Sequence, residues 1–267
     1  MDYKLVAIDM DGTLLTPNLE ISKKTIETAR KVIDKKVIIT LSTGRMYLAA
    51  IPFAKTLQLD VPLITCNGSL IRCAKTGKEY YKKTISKPYY EEIVKYCHDT
   101  KLSLSVYKDD DILIEDPENM HIHEQIDMAE PKIVENIYET FDDSVVKILI
   151  SSRDRYALEH NVHRLYEIYK DKLTFYFSLP YFVEIVHKDA NKRNALEFLA
   201  NKFHIKKAEI ISIGDNFNDM DMIQYAGLGV AMGNAPDYLK EVADYVTHSN
   251  DEDGVNYVLE KFILKKK

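Results

Sequence analysis

The sequence predicts an α/β core with a mostly parallel sheet, interrupted by an inserted α+β domain. Three observations carry this: short apolar runs alternate with helical stretches at both ends of the chain, the periodicity changes in the middle, and unusual polar residues cluster where the apolar runs stop.

Leu5-Val6-Ala7-Ile8 is apolar throughout and ends at Asp9, the pattern of a strand buried on both faces of a parallel sheet. Ser22 predicts the N-cap of a helix reaching about Lys36, with Ile26, Ala29 and Ile33 on one stripe. Val37 to Leu41 reads as the next strand, Arg45 to Leu57 as a helix and Val61 to Thr65 as a third strand. This is βαβαβ, which implies right-handed crossovers. The same alternation returns late in the chain. Arg193 to Phe203 reads as a helix, Ile210 to Ile213 as a strand, Asp219 to Tyr225 as a helix and Gly229-Val230-Ala231 as a short strand. Both ends therefore predict one sheet in a Rossmann-like three-layer core.

From about Ile85 to His187 the strands alternate their faces: Leu102 to Tyr107, Val145 to Ile150, Leu173 to Ser178 and Phe182 to Val186. Helical stretches at Tyr89 to His98 and Arg155 to Tyr169 lie among them. Unstructured connections beyond roughly 12–15 residues are uncommon in compact domains, so this segment predicts an inserted α+β cap. The expected division is 1–84 with 188–267 for the core and 85–187 for the cap. Closure over the strand ends would hinge near residues 84 and 188, excluding water and selecting the leaving group.

Composition narrows the function. The 267 residues carry 36 Lys+Arg against 42 Asp+Glu, a net charge of −6, which argues against nucleic-acid binding through a broad basic face. With 46% hydrophobic and 29% charged residues, global disorder is excluded. No apolar run approaches the roughly 18 residues of a membrane span, and Asp9 and Asp11 follow Lys4 too soon for a signal peptide. A cytoplasmic location without membrane partners is expected. Cys66, Cys73 and Cys97 are odd in number and form no CxxC pair, which predicts reduced core thiols. Lys265-Lys266-Lys267 reads as a solvated tail. Oligomeric state is not legible.

Ligands of open α/β sheets sit beyond the carboxyl ends of the strands. There the chain places Asp9-Met10-Asp11-Gly12-Thr13-Leu14, Ser42-Thr43-Gly44-Arg45, Asn67-Gly68 and Gly214-Asp215-Asn216-Phe217-Asn218-Asp219. Asp9, Asp11 and Asp215, with Asn216, Asn218 and Asp219 nearby, form an all-oxygen cluster that repels itself unless a hard cation neutralises it. Magnesium is the natural candidate, since it keeps sites open for a substrate phosphate. A helix starting just after Thr43-Gly44 would add N–H groups for the same anion. These groups suit phosphoryl transfer, with Asp9 as nucleophile, Asp11 as acid and base, and Lys192 offsetting charge.

These residues resemble the motifs of the haloacid-dehalogenase-like hydrolases. Asp9-Met10-Asp11-Gly12-Thr13-Leu14 is similar to the first motif, and Thr43, Lys192 and the Gly214 to Asp219 run follow as second, third and fourth. Thr43-Gly44-Arg45, Asn67-Gly68, Pro180-Tyr181-Phe182-Val183-Glu184-Ile185 and the run from Ala226 to Ala235 look like the Cof-type branch, which carries its cap between the second and third motifs. The resemblance implies a magnesium-dependent phosphatase of small phosphate monoesters, frequently sugar phosphates. It implies magnesium on the Asp9 side chain, the Asp11 backbone carbonyl and Asp215, assisted by Asn216 or Asp219. It implies phosphate on the Met10 backbone, Thr43, Gly44, Lys192 and Asn218.

Other features carry ordinary readings beside functional ones. Asn67-Gly68 is a common turn pair, His121-Ile122-His123 imitates a metal pair without ligands at helical spacing, and residues 249–260 imitate a calcium loop with Ser249 at its first place. The ordinary readings, turn, surface or partly buried histidine and acidic helix start, weigh against each. Tyr47, Tyr107, Tyr181 and Glu184 are candidates to face a substrate, or to be core and rim. A pump lacks its membrane spans, and a carbon-directed dehalogenase leaves Asp11 and Asp215 unexplained. Two further classes stay open: a phosphomutase or phosphotransferase, and a non-catalytic phosphometabolite sensor.

Overall fold

Leu5 to Ile8 form strand β1 and Ile38 to Leu41 strand β2, and the side chains of β1 are wholly buried. The computed structural model describes residues 2–120, 123, 129–140, 142–179 and 181–265. His121, Ile122, Pro180, Lys266 and Lys267, named above, lie outside them. The chain divides into two compact units: residues 1–44, 50–80 and 191–267, and residues 45–49 with 81–190.

In the first unit, Ser22 caps helix α1 (Lys23–Asp34), its side chain accepting from the Thr25 N–H. The buried face of α1 is Thr25, Thr28, Ala29 and Val32, while Ile26 and Ile33 are half-buried. The core-facing stripe is thus rotated from the one the apolar residues predict, because threonine methyls pack where the pattern shows only polar letters. Helix α2 spans Tyr47–Thr56, shorter than predicted. Strand β3 (Pro62–Thr65) departs from expectation: it pairs antiparallel with β4 (Leu70–Cys73), and its link to the main sheet is an isolated parallel bridge between Ser42 and Ile64. The tight turn through Asn67 and Gly68 folds the chain straight back, giving β3 a hairpin partner. Beside β4 lies β5 (Glu79–Lys82).

The second unit opens with helix α3 (Lys87–Thr100) and strands β6 (Ser103–Lys108), β7 (Asp111–Ile114) and β8 (Lys132–Ile133). Strand β9 (Val145–Ser151), helix α4 (Arg155–Tyr169) and strands β10 (Leu173–Leu179) and β11 (Phe182–His187) complete it. The sheet order is β10-β11-β9-β6-β7-β8. Ile93, Val94 and Cys97 of α3 and Leu158, Val162 and Leu165 of α4 pack on Leu104, Val106, Ile148, Ile150, Val183 and Ile185. Strand β9 is buried on both faces and does not alternate, because its second face carries a buried ion pair between Lys147 and Glu184 of 3.1 Å. Ammonium Nζ also lies 3.9 Å from the centre of the Tyr107 ring.

The chain returns through α5 (Lys192–Lys202), β12 (Ile210–Gly214), α6 (Met220–Tyr225), β13 (Leu228–Ala231), α7 (Asp237–Lys240), β14 (Tyr245–Val246) and α8 (Gly254–Val258). The core sheet runs β14-β13-β12-β1-β2 and every pairing is parallel. Residues from the two chain ends therefore share one sheet, an α/β core of the predicted class. All three cysteines are buried, and burial pushes the Cys97 thiol up to about 12. Among the described residues no helix is long and apolar enough to cross a membrane.

Candidate active site

Strand register brings the motifs together. Ile8 pairs with Leu41 on one side and Ile213 on the other, so Asp9, Ser42 and Gly214 stand at one level, just past the ends of β1 and β2 and at the last residue of β12. The Asp9 N–H donates to the Ile213 carbonyl at 3.0 Å and the Ser42 N–H to that of Ile8 at 2.8 Å. Beyond them, the Thr43 N–H donates to Ile64 at 2.9 Å and its carbonyl accepts from the Asn67 N–H at 3.0 Å.

After Asp9 the chain makes a wide turn, closed by the Leu14 N–H on the Asp9 carbonyl at 3.2 Å and the Leu15 N–H on that of Met10 at 2.9 Å. Gly12 sits in it at φ 75°, and a Cβ there would stand 2.3 Å from Asp215 Oδ2. A side chain at position 12 would both strain the backbone and displace the carboxylate. Thr13 Oγ1 donates to Asp215 Oδ1 at 2.7 Å, and Asn234 Nδ2 to the Gly12 carbonyl at 2.9 Å. Met10 is buried and Asp11 exposed.

Lys192 is the first residue of α5, not upstream of it as predicted, because Asn191 is the N-cap and accepts from the Asn194 N–H at 2.7 Å. The helix start aims a fully buried ammonium between two carboxylates, with Nζ 2.6 Å from both Asp9 Oδ1 and Asp219 Oδ1. The second Asp219 oxygen accepts the backbone N–H groups of Asp215 and Asn216, each at 3.0 Å. Both oxygens of Asp219 thus hold the lysine and the loop.

Asp9, Asp215 and Asp219 present ligand atoms all within 4.8 Å of one another. Burial raises the Asp9 carboxyl well above the usual range, and the Asp219 charge adds to this against the pull of Lys192. Asp215 is pushed up to about 6, by burial first and the Asp219 charge second. For Lys192, burial works against the charge, but the Asp219 and Asp9 carboxylates outweigh it and raise its pKa. Three carboxylates face one ammonium, so the ionised cluster carries two uncompensated negative charges that suit a divalent cation.

One placement differs from expectation, and the partners of the other candidates are as follows. Helix α2 begins at Tyr47, so Thr43 and Gly44 lie in a connection before it, with Arg45 and Met46 buried in between, and not at a helix N-terminus. Asn216 turns its Oδ1 into its own loop, accepting from the Phe217 N–H at 2.8 Å. Asn218 Nδ2 donates to Asn67 Oδ1 at 2.9 Å, so the Asn67-Gly68 pair is a turn that also braces the candidate phosphate side. Asn67, Thr13 and Asn234 lie inside the motifs quoted from the sequence and prove to be supporting residues; Asn191 is the supporting residue that motif reading did not single out, its local signal being an N-cap residue before a helix. Glu184 is buried on Lys147, and Tyr107 and Tyr47 are buried, whereas Tyr181 is exposed. His123 is buried against the Ser105 and Tyr107 hydroxyls at 2.7 and 3.3 Å. Ser249 and Glu252 cap the turn before α8, the acidic helix start the sequence favoured.

Residues 6–259 match the haloacid dehalogenase-like hydrolase family. The chain belongs to that family. A 5-amino-6-(5-phospho-D-ribitylamino)uracil phosphatase of Bacillus subtilis is 32% identical, with 99% of this chain and 97% of the relative covered. An HMP-PP phosphatase of Serratia proteamaculans is 29% identical over 90% and 87% of the two chains. The crystal structure of a haloacid dehalogenase-like hydrolase from Bacteroides thetaiotaomicron superimposes with a TM-score of 0.91 at 28% identity, covering 98% of this chain and all of that one. This hydrolase is thus an enzyme of the phosphoric monoester class, with the fold its alternating elements predicted.

Proposed function

We propose that this hydrolase is a magnesium-dependent phosphatase of small phosphate monoesters, sugar phosphates or related phosphometabolites, acting through an aspartyl-phosphate. The observation that carries the reading is the buried Lys192 ammonium between Asp9 and Asp219, which fixes the nucleophile's carboxylate in place. The names of the two relatives support a small phosphorylated substrate.

In this reading Asp9, the Asp11 carbonyl and Asp215 hold magnesium, and Asp219 anchors Lys192 and the loop in support. When bound, the cation would neutralise the cluster and the phosphoryl oxygens. Asp9 attacks phosphorus, forming its own O–P bond as the bond to the leaving oxygen breaks, and Asp11 gives that oxygen a proton. Asp11 then takes a proton from water, whose oxygen attacks phosphorus and breaks the Asp9 O–P bond, releasing phosphate. The Met10 backbone, Thr43, Gly44, Lys192 and Asn218 bind the phosphoryl oxygens, with Asn218 held by Asn67.

The test is phosphate release from a panel of small monoesters, with magnesium or with chelator, for the parent and Asp9→Asn. Metal-dependent release that disappears in the variant supports the reading. No release from folded, metal-loaded parent would overturn it in favour of transfer to another acceptor or of a sensor. The ion-paired Asp9 and Lys192 weigh against a sensor, which needs neither.

A further inference from the structure

Two aromatic residues stand beside the candidate site without serving the core. Phe217 is 57% exposed and Tyr238 41% exposed. The next residue after Tyr238, Leu239, is buried with Ile223, Ala231 and Ala235, so α7 spends its inward position on leucine and leaves the tyrosine at the surface. The rings meet edge to face, with centroids 6.3 Å apart and planes at 66°. One atom fixes both residues: Asn216 Oδ1 accepts from the Phe217 N–H at 2.8 Å and from the Tyr238 hydroxyl at 3.4 Å. Asn216 is itself tied through its N–H to Asp219 Oδ2. The aromatic corner is therefore registered to the acidic centre by consecutive hydrogen bonds, and it lies at the carboxyl ends of β12 and β13, in the same unit as the carboxylates.

We propose that Phe217 and Tyr238 are specificity-determining residues that receive a planar, unsaturated ring in the leaving group of the phosphate ester. This rests on the phosphatase reading above and narrows its substrate class. A tilted pair offers a ring face and a ring edge, to which a flat π system is complementary through its quadrupole. Because Asn216 Oδ1 already receives two donors, it is a poor acceptor for the hydroxyls of a sugar, and the corner favours a ring that asks for contact over hydrogen bonds.

The experiment measures kcat/KM for phenyl phosphate and for propyl phosphate in the magnesium-loaded enzyme, and reads the ratio between them. Phe217→Leu keeps apolar bulk but removes the ring, and should lower the parent's ratio about five- to tenfold, chiefly through KM for the phenyl ester. Tyr238→Ala should lower it in the same direction, and Tyr238→Phe, which keeps the ring, should leave it within about twofold. Both positions are exposed, so either variant carries the test if the other fails to fold. An unchanged ratio in Phe217→Leu and Tyr238→Ala, with propyl phosphate still hydrolysed, overturns the aromatic site and leaves the phosphatase reading standing. A parent that hydrolyses other members of the monoester panel but not phenyl phosphate overturns the aromatic site alone, whereas a folded, metal-loaded parent that releases phosphate from no member overturns the phosphatase reading, and this inference with it.

Discussion

At the scale of single residues, close approach controls the site. Gly12 has no Cβ where one would meet Asp215 Oδ2 at 2.3 Å, and it holds a positive φ. Gly12→Ala is expected to cost about 1–3 kcal/mol of stability and to remove most metal-dependent phosphate release, seen by thermal melting and a phosphate assay. Asp215 supplies a pH signature. Its carboxyl stands at about 6 in the folded chain and near 4 when unfolded, so the folded state binds that proton more tightly. The stability this contributes is complete below about pH 4 and lost as pH rises through about 6. In chelator, the melting temperature of the parent should fall across that window relative to Asp215→Asn, and equal slopes would refute the assignment.

Elements are held by caps and by one buried pair. The Ser22 side chain accepts the Thr25 N–H at 3.1 Å and donates to Asp253 Oδ1 at 2.5 Å, joining the start of α1 to the turn before α8. Ser22→Ala should cost about 1 kcal/mol, a fall of about 2–4 °C in melting temperature. In the second unit, Lys147→Met strands the buried Glu184 carboxylate and should cost about 3–5 kcal/mol. Adding Glu184→Leu should recover much of that loss in denaturant titration, because burial penalises an unpaired charge more than a missing pair. The cap of α1 was legible because capping is local. The polar pair was not, since Lys147 and Glu184 are 37 residues apart and meet only through the pairing of β9 with β11.

For the whole molecule, the proposed cation would link metal binding to folding. A cation bound by the folded cluster stabilises it by mass action, about 2.7 kcal/mol at a hundred times its dissociation constant. Magnesium should therefore raise the melting temperature by about 5 °C or more above pH 7, and the rise should vanish in Asp215→Asn. A parent that melts at the same temperature with magnesium or chelator would refute a structural link between cation and cluster.

The sequence by itself determined the fold class and the motif residues, because strand burial, helix caps and turn residues act over a few positions and Asp9, Thr43, Lys192 and Asp215 follow local apolar runs or helix starts. It also placed the carboxylates at strand ends, as the register of β1 with β2 and β12 bears out. Only tertiary structure decided which atoms each group meets. Asp219 holds Lys192 and two backbone amides, Asn67 braces Asn218 across 151 positions, β3 leaves the parallel order for a hairpin, and α1 turns threonines inward. Those outcomes depend on contacts between distant segments, which appear only when the chain closes and each polar group must find its partner.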